Sequence, residues 1–320
     1  MVFFEEKRAM DISLDEVIDA LYIFFPDIEK RDIKFFYHGT YNVFDIKDRF
    51  IFRIPDKVFR NINGIRLIQN EVKMLNHIQK YVSVRIPEPM FISTDPVCPL
   101  MGYEKIKGMP LSRCFHKSSK NQKVEIAQSI GGFLSQLHSD VLIGDAIRNN
   151  LVNSMFTSDI YHKEWVKYFE KVKITIFKYM SSIQKKWISD LFNSFLNNKN
   201  NFDFKLVIVH GDFDITNILV DPKTFKLTGI VDFEESRIYD PAVDFTFFDQ
   251  GNLFLKELLS SYQRKIDNGF KERMKFLYGR ASLAYIEFGT ENNIPDLVEA
   301  GFQLLKKRMT VFDTLSDFLL

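Results

Sequence analysis

The stretch His210-Gly-Asp-Phe-Asp-Ile-Thr-Asn217, followed by Ile230-Val-Asp-Phe-Glu234, decides the reading of this chain. Between the two lie Ile218-Leu-Val220 and Leu227-Thr-Gly-Ile-Val231, which read as short strands. Asp221-Pro-Lys-Thr224 supplies the turn, because proline fixes φ and aspartate bonds its own backbone. An antiparallel hairpin brings its open ends together. Asn217 stands just before the first strand and Asp232 just after the second, so the hairpin predicts that their oxygens meet. Mg²⁺ suits such a pair, since it takes one or two carboxylates with substrate phosphates and keeps several waters. Asp212, on the loop that leads to Asn217, then has the position of a base, where a carboxylate orients a hydroxyl nucleophile and takes its proton late in a loose transition state. A single loop aspartate is ordinarily a turn or cap residue; the set in this order points to phosphoryl transfer.

Composition narrows the class. The chain has 320 residues, 46% of them hydrophobic, enough for a large core in a single unit of two lobes. The formal net charge is +1, which provides no global basic field for nucleic acid or an acidic membrane. Cys98 and Cys114 are too few for a disulfide scaffold and lack metal-ligand spacing, as fits a reducing cytosol. No run of eighteen apolar residues occurs, and Met1–Arg8 lacks a signal-peptide core, so a cytoplasmic protein is expected.

Apolar spacing predicts a helix over 14–25 with Ser13 as N-cap, and extended segments from Ile33 to Ile54 broken at His38-Gly39-Thr40 and Lys47-Asp48-Arg49. A second helix follows over 65–81, with Ile68, Val72, Leu75 and Ile78 facing inward, then strands at Met90–Ser93 and Gly102–Ile106. Helices are expected over 123–137, 160–180 and 182–197, and helical spacing returns beyond Pro241. The expected fold class is α+β, bilobal, with a small antiparallel-sheet lobe over 1–107 and a larger, mainly helical lobe over 108–320.

His210-Gly-Asp212 with Asn217, Asp232, Asp240-Pro241 and Asp244 resembles the signature of the aminoglycoside phosphotransferase family, relatives of the protein kinases. Upstream, Phe50-Ile-Phe-Arg-Ile-Pro55, Asn70-Glu71-Val72, Ile86-Pro87, Lys105-Ile-Lys-Gly108 and Phe133-Leu-Ser-Gln-Leu-His-Ser139 follow in family order, most like the 2''-phosphotransferase branch. The similarity covers roughly residues 10 to 250. It implies a protein-kinase-like fold and a small-molecule kinase that moves the γ-phosphate of ATP or GTP, with Mg²⁺, to an aminoglycoside hydroxyl. Antibiotic resistance would follow. Macrolides, choline-like alcohols or sugars are alternative acceptors, and a catalytically silent nucleotide-binding homologue is the rival from another class. A monomer is expected.

The resemblance assigns further roles. Gly39 takes the place of a phosphate loop, where glycine lets backbone approach phosphate. Arg53 stands where relatives usually carry lysine, paired with a helix Glu, here Glu71; a guanidinium can bridge a carboxylate and a phosphate at once. Tyr103, Glu104 and Ile106 correspond to the hinge that reads the nucleobase. His210 is expected to be structural, Asp240 to brace the loop and Asp244 to cap the helix after it. Between Ile230 and Gln250 six acids, Asp232, Glu234, Glu235, Asp240, Asp244 and Asp249, face Arg237 alone, which would attract a cationic aminosugar and makes Glu234 and Glu235 candidate acceptor contacts.

Overall fold

The computed structural model describes residues 8–151 and 156–315; most of the stretch read for a signal peptide, Met1–Arg8, lies outside them. In chain order the elements are α1 (Leu14–Leu21), β1 (Ile33–His38), β2 (Tyr41–Ile46), β3 (Phe50–Pro55), α2 (Ile62–Ile78), β4 (Pro89–Ser93), β5 (Leu100–Glu104), β6 (Met109–Pro110) and α3 (Leu111–Cys114). Then come α4 (Lys120–Leu137), α5 (Asp140–Arg148), α6 (Ser158–Thr175), α7 (Ser182–Asn197), β7 (Val207–Val209), β8 (Ile218–Val220), β9 (Leu227–Ile230) and β10 (Arg237–Tyr239). Helices α8 (Asn252–Ser261), α9 (Phe270–Glu291) and α10 (Pro295–Leu315) close the chain.

Contacts divide these elements into two compact units. The first holds the described residues up to Lys117 together with Ile215–Ser236; the second holds Ser118–Asp214 and the chain from Arg237 onward. This division differs from the single break expected at residue 107. Strand β6 continues past that point to pair with β8, Met109 opposite Val220 and Pro110 opposite Leu219, and so ties the β8–β9 hairpin to the first unit.

The first unit is built on an antiparallel sheet in the order β1-β2-β3-β5-β4. Lys47 and Asp48 both take positive φ (56° and 51°), and the Arg49 N–H bonds the Ile46 carbonyl at 3.1 Å, so β2 and β3 are joined by the primed turn that matches strand twist. Phenylalanines fill one side of the sheet: Phe50 and Phe52 lie 5.2 and 5.4 Å from Phe91, and Phe25 packs on all three. Gly102 is part of this packing, since a Cβ there would meet the Phe52 ring at 2.5 Å. Ser13 caps α1 in a capping box with Glu16. The helix stops at Leu21, short of the expected 25, because Pro26 disfavours helical geometry in the residue before it and the Phe24 and Phe25 N–H groups fold back to the Leu21 carbonyl.

The second unit packs α4 against α8 and α9 against α10 and α7. Its core is again aromatic: Phe195 stacks on Phe276 at 3.8 Å and Phe169 on Phe192 at 4.5 Å. The many phenylalanines therefore work as core in both units. Helix α5, capped by Ser139, was not expected. The chain is thus α+β, a five-stranded antiparallel sheet in the N-terminal part and a mainly helical C-terminal part. Among the described residues no helix is long and apolar enough to cross a membrane.

Candidate functional site

The hairpin forms as its sequence dictates. Asp221 Oδ1 accepts the N–H groups of Lys223 (3.0 Å) and Thr224 (2.8 Å), which folds the turn, and Ile218 pairs with Ile230. One step further the Val231 N–H bonds the Asn217 carbonyl at 2.9 Å. Asn217 and Asp232 therefore stand at the same end of the ladder, in the first unit. Asp232 takes φ 72°, a left-handed conformation uncommon outside glycine, and such outliers gather at functional sites.

Arg53, on β3, is the centre of the first unit's polar core. It is only 4% exposed. Its Nη1 donates to Glu71 Oε1, while its Nη2 donates to both Asp232 Oδ1 (2.7 Å) and Glu234 Oε2 (2.8 Å). The guanidinium lies 4.1 Å from the Tyr41 ring centroid, a cation–π contact in a desolvated place. Three carboxylates thus share one guanidinium, and the consequences are electrostatic. Burial pushes Glu71 up to about 7 despite the attraction of Arg53. Burial, with the charge of Asp232 next, pushes Glu234 up to about 8. Burial works against the charge of Arg53, but Glu71, Asp232 and Glu234 outweigh it and hold its pKa raised.

Glu234 was expected to face an acceptor; it turns instead into the Arg53 cluster, because the buried guanidinium offers it a partner within hydrogen-bond distance. Glu235 is exposed. Gly39 lies in the short turn between β1 and β2, its N–H bonded to the Tyr41 carbonyl at 3.0 Å. Next to it Asp11, His38 and Asp56 come together at metal-ligand spacing. That cluster already has cations: Arg8 pairs with Asp56 at 2.9 Å and Arg60 with Asp11 at 3.3 Å, while Asn42 donates to Asp11 at 2.7 Å. It braces the Gly39 turn, and the sequence offered no spacing signal for it.

Tyr103 is buried on β5 opposite Ile51, with Glu104 opposite Phe50. Ile106 is buried against Gly229, where a Cβ would meet its Cγ2 at 2.6 Å. Glu104, Lys105 and Ile106 line a cavity of about 270 Å³ in the first unit, together with Gln79, Arg85 and Glu88.

Asp212 belongs to the second unit and is exposed. Its loop is fixed from behind. Gly211 takes φ 91°, available to glycine at no steric cost, and Phe213 packs between Phe133 and Phe247. Asp244 accepts the backbone N–H groups of His210 (2.8 Å) and Gly211 (2.9 Å), and His138 Nε2 donates to it at 3.1 Å. The expected roles of Asp240 and Asp244 are exchanged. Asp240 caps the short helical turn at Pro241–Phe245 through the Ala242 N–H (3.0 Å) and binds Tyr161 and Arg273; Asp244 braces the loop. The exchange follows from Pro241, which starts that turn and leaves Asp240 as its N-cap. His210 is fully buried 5.1 Å from the Phe213 ring, as a structural histidine would be.

Asp232 and Glu234 already share a single cationic nitrogen and Asn217 stands at the same ladder end, so the residues present offer the oxygen ligands that a hard divalent cation takes.

The same fold is found in solved structures. The GDP complex of wild-type aminoglycoside 2'-phosphotransferase-IIIa superposes with a TM-score of 0.82 at 19% identity, over 93% of this chain and 98% of that one. ADP-bound aminoglycoside phosphotransferase APH(2'')-Ib gives 0.67 at 19% identity over 94% and 99%. Macrolide 2'-phosphotransferase MphH from Brachybacterium faecium gives 0.70 at 16% over 91% and 98%. At these identities the likeness establishes the fold. Residues 32–248 match the family described as the phosphotransferase enzyme family, and that span includes Gly39, Arg53, Glu71, Asp212, Asn217 and Asp232. By that match the chain belongs to the phosphotransferase enzyme family, and it is a phosphotransferase.

Proposed function

We propose that the protein transfers the γ-phosphate of ATP or GTP to a hydroxyl of a small molecule, with an aminoglycoside as the leading acceptor. The observation that carries the reading is the meeting of Arg53, Glu71 and Asp232 at the end of the hairpin that also presents Asn217. In it Asn217 and Asp232 would hold Mg²⁺, whose chemistry is to neutralise charge on the phosphates, and Arg53 would add a bidentate donor to them. Gly39 offers backbone at the phosphates; Tyr103, Glu104 and Ile106 border the nucleobase. Asp212 orients the hydroxyl and accepts its proton. Neighbouring folds solved with GDP or ADP support the nucleotide, and those named as aminoglycoside phosphotransferases support the acceptor.

One observation favours a second acceptor class. Of the six acids counted between Ile230 and Gln250, Asp232 and Glu234 are tied to Arg53, Asp240 to Arg273, and Asp244 to the His210 loop. Asp249 is tied to Lys307 and Arg308. Five of the six acids are thus engaged within the protein, so a less cationic acceptor such as a macrolide is the alternative. Phe245, Phe247 and Phe248 are core residues and take no part in the choice.

The experiment is phosphate transfer from Mg-ATP and Mg-GTP to panels of aminoglycosides, macrolides, choline-like alcohols and sugars, each at low and high salt. An aminoglycoside whose turnover falls with salt supports the leading reading. Transfer to macrolides alone supports the second. Nucleotide binding with no transfer to any alcohol would leave only a silent homologue.

A further inference from the structure

Asp232 Oδ1 and Glu234 Oε2 lie 2.7 and 2.8 Å from one atom, Arg53 Nη2. Two carboxylate oxygens that converge so closely on one point make a cation site, and an arginine fills it. The other arm of the fork, Nη1, is held separately by Glu71. Three carboxylates share one guanidinium in a buried place, so the single positive charge does not suffice to keep all three ionised. A divalent cation would supply the further positive charge that the three carboxylates lack.

We propose that Arg53 is a built-in competitor for the metal: Glu234 joins Asp232 as a metal carboxylate, and a divalent cation binds by taking both from Nη2 while Nη1 keeps Glu71. The inference rests on the phosphotransferase reading for the identity of the cation as Mg²⁺. The residues explain why the exchange is feasible. Glu71 anchors one end of the fork, and the Tyr41 ring keeps the guanidinium plane in place from below, so the released Nη2 remains beside the metal as a donor for a phosphate oxygen. No proton or electron is transferred; one set of ion pairs replaces another. Glu234 thereby becomes a ligand that sets metal affinity, and Arg53 becomes the group that keeps that affinity low until phosphate arrives to receive its freed nitrogen.

The test measures Mn²⁺ alone, as a spectroscopic stand-in, binding to the full-length protein by the loss of its free EPR signal. Arg53→Met should tighten Mn²⁺ by about tenfold or more, since a cation beside the site is removed. Glu234→Gln should weaken Mn²⁺ several-fold in the wild type and remove most of the gain in Arg53→Met. Arg53→Lys serves if the Met variant does not fold: one ammonium cannot hold Glu71 and the carboxylate pair together, so tightening of smaller size is expected. Unchanged Mn²⁺ affinity in the folded arginine variants, or an unaffected Glu234→Gln, overturns the proposal. If the wild type then still binds Mn²⁺ in the presence of a non-hydrolysable ATP analogue, the phosphotransferase reading stands without it. If neither wild type nor any variant binds Mn²⁺ with or without that analogue, both fail.

Discussion

Replacing Asp244 tests how the loop bearing Asp212 is held. The carboxylate is fully buried and accepts from the His210 and Gly211 N–H groups at 2.8 and 2.9 Å and from His138 at 3.1 Å. In Asp244→Ala the buried His210 N–H and the half-buried Gly211 N–H both lose their acceptor, at about 1–3 kcal/mol for each that water does not reach, so the loss is up to about 6 kcal/mol. Asp244→Asn keeps one acceptor oxygen but turns its own N–H₂ toward the second donor, so about half of that loss is expected. Thermal unfolding checks the numbers: a loss near 4 kcal/mol corresponds to a fall of roughly 10 °C in Tm for a unit of this size. Well below Tm, turnover of the Asn variant should fall by up to about 10²-fold, because a displacement of 1 Å in a positioning group has that effect. An Ala variant that melts within about 2 °C of wild type and turns over normally would show that the Asp244 bonds do not hold the loop.

Other outcomes follow from single contacts. Asp212→Asn should lower turnover by about 10²–10⁴-fold while nucleotide affinity, measured by calorimetry, is unchanged; retained turnover removes Asp212 from the chemistry. Gly102→Ala should destabilise the first unit by about 1–3 kcal/mol in urea, because its methyl would overlap the Phe52 ring, and an unaffected midpoint would mean that the ring can move aside. Glu71 is raised to about 7 by burial, so the folded state binds more protons than the unfolded one between an ordinary carboxylate's range and that value. Stability should therefore fall as pH rises through this interval, and Glu71→Gln should flatten the slope; a slope of opposite sign contradicts the burial argument.

What was legible in the sequence was what local chemistry dictates. The Asp221 turn and the alternation around it placed Asn217 and Asp232 at one ladder end, and Ser13, Gly39 and Lys47-Asp48 marked the helix start and the turns. Partners distant in sequence were not legible. Nothing local in Glu234 says that it meets Arg53 across the fold, and the roles of Asp240 and Asp244 depend on Arg273 and on the N–H groups of His210 and Gly211. The count of acids misled for the same reason, because a charge matters only after its partners are known. Helix α5 was missed because its short, weakly patterned run follows directly on α4.

The interleaving of the two units bears on how the chain can be made. Arg53 is separated from Asp232 by 179 residues and from Glu234 by 181, and Met109 of β6 waits for Val220 of β8, 111 residues on. A ribosome delivers the N-terminal end first, at about 5–20 residues per second, so Arg53 has only Glu71 of its three carboxylates until about half of the second unit has emerged. The first unit begins synthesis first yet is completed only when Ser236 is released, and a fragment that stops at Lys117 would carry a guanidinium without two of its three counter-charges. Expression of that fragment should therefore yield aggregate or degraded chain rather than a separable nucleotide-binding module.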